Sequence, residues 1–483
     1  MSVTVNRRAV SMSGRGLRGE SYADQARRLG SVAGVTITPD MTDQEVMDAV
    51  GNGIAADAEL ASNEAVAAAA LATTALTNIE AALAVMDLII YFGQSLTLSR
   101  SPQVTLAANI VPDAYTFNGG PEAFNFNQPT SGNSISWPIP PANMTSMVPL
   151  VPLVGVESLA AGACYQSHIA GRPSFFCSFG IGAQSARQLR EGNLYFENLK
   201  YGVQCAVKLI RAAGYRPNPI IIWAHGNADA DQADDGNIYD NTETSSADYQ
   251  TATKGKIFPS ICRAVSFALG QVWTGPIWVE PLLTGAGDHS GTPQQTITGR
   301  RNINAAQVAM QSAQIRLLPS WSQFVAHAAV DLTHPDGQGY RYRGELHSAY
   351  ARQDLVPPKM LSKAVSGATV VVTFDQPVRI STRIPAGSGL TGVYGFEIYD
   401  NTGASVPITS VVPSGSNPAQ IIITPATVAN LTGPWVVRNG QQQGPDTGTA
   451  ATYFPRTFVV GEVDVGIAED GTVMENASIS QEN

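Results

Sequence analysis

Cysteine, histidine and charge are all scarce in this chain. Its four cysteines, Cys164, Cys177, Cys205 and Cys262, never fall into C-x-x-C spacing, which removes the common zinc and thiol-redox motifs and leaves buried thiols as the expectation. Charged residues are 14% of the 483 against 44% hydrophobic, which excludes a disordered chain and predicts two to four packed domains. The formal net charge of −10 provides no clustered lysines and arginines to follow a phosphate backbone, so no nucleic-acid partner is expected. The opening "MSVTVNRRAVSMSGRGLRGE" has no apolar core followed by small residues, and the expectation is a protein without a secretory signal. The most membrane-like stretch, "VAAAALATTALTNIEAALAVMDLII", is mostly alanine and carries Asn78, Glu80 and Asp87. No membrane insertion is expected of it.

What is present divides into five segments. Residues 1–40 are polar and rich in Gly and Arg, and read as an extended attachment arm. Residues 41–85 read as helical, with Thr42 as cap and Glu45 as its reciprocal partner. Leu76, Ile79, Leu83 and Met86 follow a three-four-three spacing, continued backward by Ala72, Ala69, Ala65 and Ser62. This is the pattern of a self-associating stalk or of a single amphipathic helix lying on the next domain. Residues 86–361 alternate apolar runs ("MDLIIYFG", "MVPLVPLVGV", "SFFCSFGI", "PIIIWAHG", "GPIWVEPLL") with helical ones ("NLKYGVQCAVKLIRAAGY", "GKIFPSICRAVSFALG", "NINAAQVAMQSAQIRLL"). Continuous apolar strands are covered on both faces, so the fold class is α/β, a three-layer α/β/α domain with a parallel sheet. Residues 362–461 turn to short alternating runs split by Gly, Pro, Asn and Asp, the texture of a small antiparallel β-sandwich. Residues 462–483 read as an acidic polar tail.

Three of the apolar runs stop at a glycine. "DLIIYFGQSL" ends in Gly93, Gln94 and Ser95; "SFGIGAQSARQL" carries Gly180 and Gly182; "IIIWAHGNADA" ends in Gly226 and Asn227. Each alone reads equally as a turn. A serine hydroxyl is a weak nucleophile until a base takes its proton, and only six histidines are present: His168, His225, His289, His327, His334 and His347. His334 has the best context, because Asp331 lies three residues before it in "VDLTHPDGQGY" and a carboxylate so placed can grip one imidazole nitrogen and leave the other for a serine. The competing reading makes Asp331 the cap of a turn before Pro335 and leaves His334 on the surface. The Asn227 amide and a backbone N–H at Gly182 or Gly180 are candidate donors to a developing oxyanion. The acidic run "ADADQADDGNIYDNTETSSADYQ" fits no EF-hand spacing and reads as a solvated insertion near the cleft rather than a cation site.

The order Ser, Gly, Asn, His resembles the SGNH (GDSL-like) hydrolase superfamily. More narrowly, "IIYFGQSL", "GIGAQSARQL" and "IIIWAHGNADA" are similar to the motifs of sialate O-acetylesterase-type carbohydrate esterases over residues 86–350. The resemblance implies Ser95 as nucleophile, His334 as general base and Asp331 as its orienting acid. It implies an oxyanion hole of the Ser95 N–H, the Gly182 N–H (with Gly180 as fallback) and the Asn227 side chain. Gln94, His225 and Asp229 fall at positions of substrate contact or loop ordering. Leu96 stands where the subgroup has Asn, His225 where it has Gln, Asn227 where it often has Glu, and Ala183 where it has the second Gly. No metal and no organic cofactor is implied. An esterase after a self-associating helix, without an export signal, resembles a bacteriophage tail fibre or tailspike. That implies a homotrimer assembled in the host cytoplasm, located in the virion tail, bound to other tail proteins through its N-terminal region, and acting on an O-acetylated bacterial surface polysaccharide. The alternatives are a catalytically inactive glycan-binding or structural tail subunit, and an intracellular bacterial carbohydrate esterase.

Overall fold

The computed structural model describes residues 45, 59, 61–68, 83–94, 97, 111–121, 142–151, 159–182, 184–231, 246–282, 293–319, 335–381, 393–439, 459–461, 464–467, 473–475, 477 and 481–482. The chain divides into two units, Met1–Leu83 and Ala84–Asn483. In the first, residues 61–68 are helical and exposed throughout, with Val66 at 66% of its full accessibility. Leu76 and Ile79 of the expected seam lie outside the described residues. Met86, counted on that seam from its spacing, is instead a fully buried strand residue.

The second unit opens with β1 (Val85–Gly93), β2 (Ala114–Phe117), β3 (Met147–Pro149), α1 (Leu159–Ile169), β4 (Ser174–Ser178) and α2 (Leu194–Ala212). There follow β5 (Arg216–Ala224), the short α3 (Asn227–Asp231), and α4 (Ser246–Ala252), which passes through a π-helical stretch, Thr253–Ile257, into α5 (Phe258–Leu269). Then come β6 (Ile277–Glu280), α6 (Pro293–Ala309), β7 (Ile315–Leu317) and α7 (Gly337–Gln353). The seven strands form one sheet in the order β3-β2-β4-β1-β5-β6-β7. Every neighbouring pair is parallel except β2 with β3. Side chains alternate across a strand, and β1 at the centre shows both faces covered. Leu88, Ile90 and Phe92 enter a core with α2, α5 and α6, through residues such as Phe196, Val203, Ile261 and Ile303. Ile89 and Tyr91 enter the opposite core with α1 and α7, through Leu159, Ala163, Leu346 and Tyr350. Helices α1 and α7 cross at two glycines, where a Cβ on Gly162 would stand 2.1 Å from Arg341 O and one on Gly344 2.2 Å from Leu159 O.

Several elements depart from the sequence expectation. The end of "NINAAQVAMQSAQIRLL" is not helix but β7, an edge strand reached after α6 stops at Ala309. Of "MVPLVPLVGV", the strand is Met147–Pro149, and 152–158 lie outside the described residues. Helix α7 was not anticipated, because its sequence is polar and glycine-containing, yet Arg341, Arg343, Glu345 and His347 on it are all buried. Cys164 and Cys177 are buried thiols, while Cys205 and Cys262 are only half-buried.

The remaining strands are β8 (Met360–Ser366), β9 (Thr369–Phe374), β10 (Val378–Ile380), β11 (Phe396–Tyr399), β12 (Ser405–Val406), β13 (Ile408–Pro413), β14 (Gln420–Pro425), β15 (Val436–Asn439), β16 (Val459–Gly461), β17 (Gly466–Ile467), β18 (Val473–Met474) and β19 (Gln481–Glu482). Two four-stranded sheets, β13-β14-β9-β8 and β12-β11-β15-β19, are antiparallel and share a core of Val370, Val372, Phe396, Ile398, Ile421, Ile423 and Val437. β8 starts at Met360, two residues ahead of the expected boundary at 362. The described residues of the expected polar tail are packed. Val465 and Met474 are buried in the core that holds Tyr91 and Tyr350, and Gln353 Nε2 donates to Val465 O at 2.9 Å. Glu475 accepts from Arg379 Nη1 at 2.9 Å and Ser381 Oγ at 2.5 Å, so the described part of 464–477 ties the α/β layers to the β-rich region. The acidic composition of this segment conceals Val465, Met474 and Ala477, which are buried together with Glu475.

Candidate active site

The three glycine-ended runs are neighbours in the sheet, β4-β1-β5, and end at one edge. Gly93 pairs with Ala224 in the parallel register, and Ile181 N donates to Gly93 O at 3.0 Å, so the chain past Gly180 runs alongside the end of β1. Close approach explains why these strands stop at glycine. A Cβ on Gly93, whose φ is +152°, would stand 2.1 Å from Ala224 O, and one on Gly180 would stand 1.5 Å from Thr97 Oγ1. Gly182 differs. It is half-exposed with open space where a Cβ would sit, and no described residue accepts its N–H.

Ser95 and Leu96 lie outside the described residues, but the residues on either side are held firmly. Gln94 N donates to Ala224 O at 3.2 Å, while Thr97 N and Thr97 Oγ1 donate to Gln94 O at 2.9 and 2.6 Å. Ser178 Oγ donates to Thr97 O at 2.7 Å, which ties this turn to the end of β4. The Gln94 side chain is buried, and its Oε1 accepts from Ala228 N in the first turn of α3 at 3.0 Å. That donor dictates which way the amide faces, since a backbone N–H can meet only the oxygen. Asn227 immediately precedes Ala228. Its Oδ1 is buried and has no partner among the described residues.

His225 is not a free base. Its ring is fully buried, with Nε2 2.9 Å from Gln184 O and 3.4 Å from Asp229 Oδ2, and Nδ1 3.2 Å from Tyr249 Oη. The consistent arrangement has neutral His225 donating from Nε2 to Gln184 O and accepting at Nδ1 from the Tyr249 hydroxyl, which itself accepts from Trp223 Nε1. Burial lowers its pKa, against the opposing pull of Asp229 and the Gln184 carbonyl. Asp229 is fully buried, and its Oδ2 accepts from Ala186 N at 2.9 Å. Gln307 Nε2 donates to His225 O at 2.7 Å and its Oε1 accepts from Leu282 N at 2.7 Å. These side chains brace the loops after β4, β5 and β6 together. Gln184, Tyr249 and Gln307 carried no signal in the sequence, because their importance lies in partners up to 82 positions away. In the run read as a solvated insertion, Asp229 and Tyr249 are buried, Ala247 and Asp248 are exposed, and 232–245 lie outside the described residues.

Asp331 and His334 also lie outside the described residues. Pro335 is buried, and Asp336 caps α7 by accepting from Gly339 N at 2.8 Å. Arg343 pairs with Glu280, the last residue of β6, and α7 runs against the strand direction. Gly337, six residues earlier, therefore stands ~9 Å nearer than Arg343 to the edge where Gln94 and Asn227 lie. Of the other histidines, His168 closes α1 at the opposite edge, His347 is buried, and His289 and His327 lie outside the described residues. Among the described residues, no group of three or more His, Cys, Asp or Glu is placed to hold a metal, and no helix is long and apolar enough to cross a membrane.

No protein-family model matches the chain, and no curated protein matches it. Among solved structures, it is similar to a carbohydrate acetylesterase from Xanthomonas citri, at 12% identity and TM-score 0.47, covering 82% of this chain and 80% of that one. It is also similar to a protein from Arabidopsis thaliana (11% identity, TM-score 0.35, 56% and 98% covered). A protein from Parabacteroides merdae described as a GDSL-like lipase is a further likeness (11%, TM-score 0.27, 56% and 96%).

Proposed function

We propose that this chain is a serine esterase that removes O-acetyl groups from a bacterial surface polysaccharide, within a phage tail fibre or tailspike. The observation that carries the reading is the bond from Ala228 N to Gln94 Oε1, 3.0 Å long, which joins the turn after β1 to the turn after β5 at the edge where open α/β sheets place their sites. Ser95 attacks the acyl carbonyl while His334, oriented by Asp331, takes its proton. The oxyanion is met by the N–H groups of Ser95 and Gly182 and by the Asn227 amide. The same imidazole then protonates the departing sugar oxygen, and water repeats the cycle to release acetate. The glycan substrate, the homotrimer, the tail partners and the virion location are inferred from the sequence resemblance, supported by an exposed helix at 61–68 whose Val66 faces solvent.

Hydrolysis of an aryl acetate by the purified full-length chain tests the reaction. Wild-type turnover should fall by at least ~10³ in Ser95→Ala; a wild-type rate no faster than that variant would leave a glycan-binding or structural role. Acetate release from purified host polysaccharides identifies the substrate, and sedimentation of the full chain as a monomer would remove the trimer.

A further inference from the structure

Helix α7 meets the sheet through a row of buried polar contacts rather than through apolar packing alone. At the strand ends, Arg343 Nε donates to Glu280 Oε1 at 2.9 Å, with a second bond from Nη2 to Oε2. One turn further on, the Tyr91 hydroxyl lies 3.1 Å from His347 Nδ1, and His347 Nε2 lies 3.3 Å from Glu280 Oε1 without the alignment of a hydrogen bond. At the opposite strand end, Arg352 Nη1 donates to Asp87 Oδ2 at 2.8 Å. Asp87 also accepts from Ser167 Oγ at 3.0 Å and Asn218 Nδ2 at 2.8 Å. Arg343, His347, Glu280, Tyr91 and Asp87 are all 4% exposed or less.

The row spans the length of the strands: Glu280 is level with Gly93 through Ala224, six residues and ~20 Å beyond Asp87, and the nine helical steps from 343 to 352 rise ~13 Å in the opposite sense, the long arginine side chains making up the difference. Apolar side chains tolerate sliding along one another, since the hydrophobic effect is non-directional. A bidentate guanidinium–carboxylate pair does not, because any shift leaves two buried charges unpaired.

We infer that Glu280 and Arg343 are positioning residues that lock the axial register of α7, and so fix the height above the sheet at which the chain preceding the helix delivers its base. This rests on the reading of Asp331 and His334 given above. Apolar packing holds α7 against the sheet and the Gly162–Gly344 crossing holds it against α1; the polar row decides where along the sheet it stops.

The test compares full-length wild type with Glu280→Gln/Arg343→Met, which removes both charges at similar volume, and with Arg343→Lys, which keeps the charge and loses the fork. The double variant should retain the wild-type Tm within a few degrees, lose at least tenfold in kcat for an aryl acetate and keep KM within about twofold. Amide hydrogen exchange of residues 337–340 should accelerate at least tenfold while β1 and β5 stay protected. A folded double variant with kcat within twofold of wild type and unchanged exchange overturns the assignment. Should the double variant not fold, Arg343→Lys decides, and wild-type kcat and exchange in that protein overturn it equally. Absence of any Ser95-dependent turnover in wild type would count against the esterase reading alone, because the exchange measurement reads the register without the chemistry.

Discussion

Replacing Asn227 with alanine should separate function from stability. The side chain is 7% exposed and its Oδ1 is buried with no partner among the described residues. An unpaired buried carbonyl costs ~1–3 kcal/mol, so deleting the carboxamide removes an unfavourable group while giving up little apolar contact. An amide donor aimed at a developing oxyanion contributes ~10²–10³ in kcat, about 3 kcal/mol of transition-state stabilisation. Asn227→Ala should therefore lose ~10²–10³ in kcat for an aryl acetate while its stability holds or rises by up to ~1–3 kcal/mol. Initial-rate kinetics paired with urea denaturation of the same preparations make the measurement. A kcat within tenfold of wild type, or a stability loss above ~1 kcal/mol, would show that the residue is a structural turn asparagine and would refute the oxyanion assignment.

Two further outcomes follow from the packing. Burial pushes the Glu280 carboxyl up, but Arg343 and His347 overcome this and hold it at about 2 against an ordinary 4.5. Its folded pKa is depressed, so the contribution is present above pH 4.5 and is lost as pH falls toward 2, about 3 kcal/mol in all. His347, lowered by burial against the pull of Glu280, adds a loss of the same sign below its ordinary value. Denaturation at several pH values should show this slope in wild type and a shallower one in Glu280→Gln/Arg343→Met, and equal slopes would contradict it. Met474 is fully buried in the core of Tyr91 and Tyr350, so Met474→Ala should destabilise the protein by ~2–5 kcal/mol; a loss under ~0.5 kcal/mol would mean the C-terminal segment is not a packed strap.

Motifs that act locally were legible. The apolar runs at β1, β4, β5 and β6 are buried on both faces of a parallel sheet, and that pattern survives in a single sequence because hydrophobic length and bounding glycines are local signals. Met86 departs from the expected seam for a related reason. A three-four spacing of apolar residues cannot tell the last turn of a helix from the first residue of a strand, and the strand took Met86 because β4 and β5 were there to pair with β1. Helix α7 went unread, and the described residues of 464–477 were taken for tail, because both bury their side chains in company that composition does not reveal.

Within the candidate site the same division holds. That Gly93, Gly180 and Gly226 mark strand ends, and that Gln94 and Asn227 follow them, is written in the chain. That Gln94 reaches Ala228, that His225 is sealed between Gln184 and Tyr249, and that Glu280 grips Arg343 was decided by tertiary structure. A residue's chemistry is a property of its type, but whether it is an available base, a spent brace or one half of a buried ion pair depends on distances of about 3 Å to atoms that lie scores of positions away.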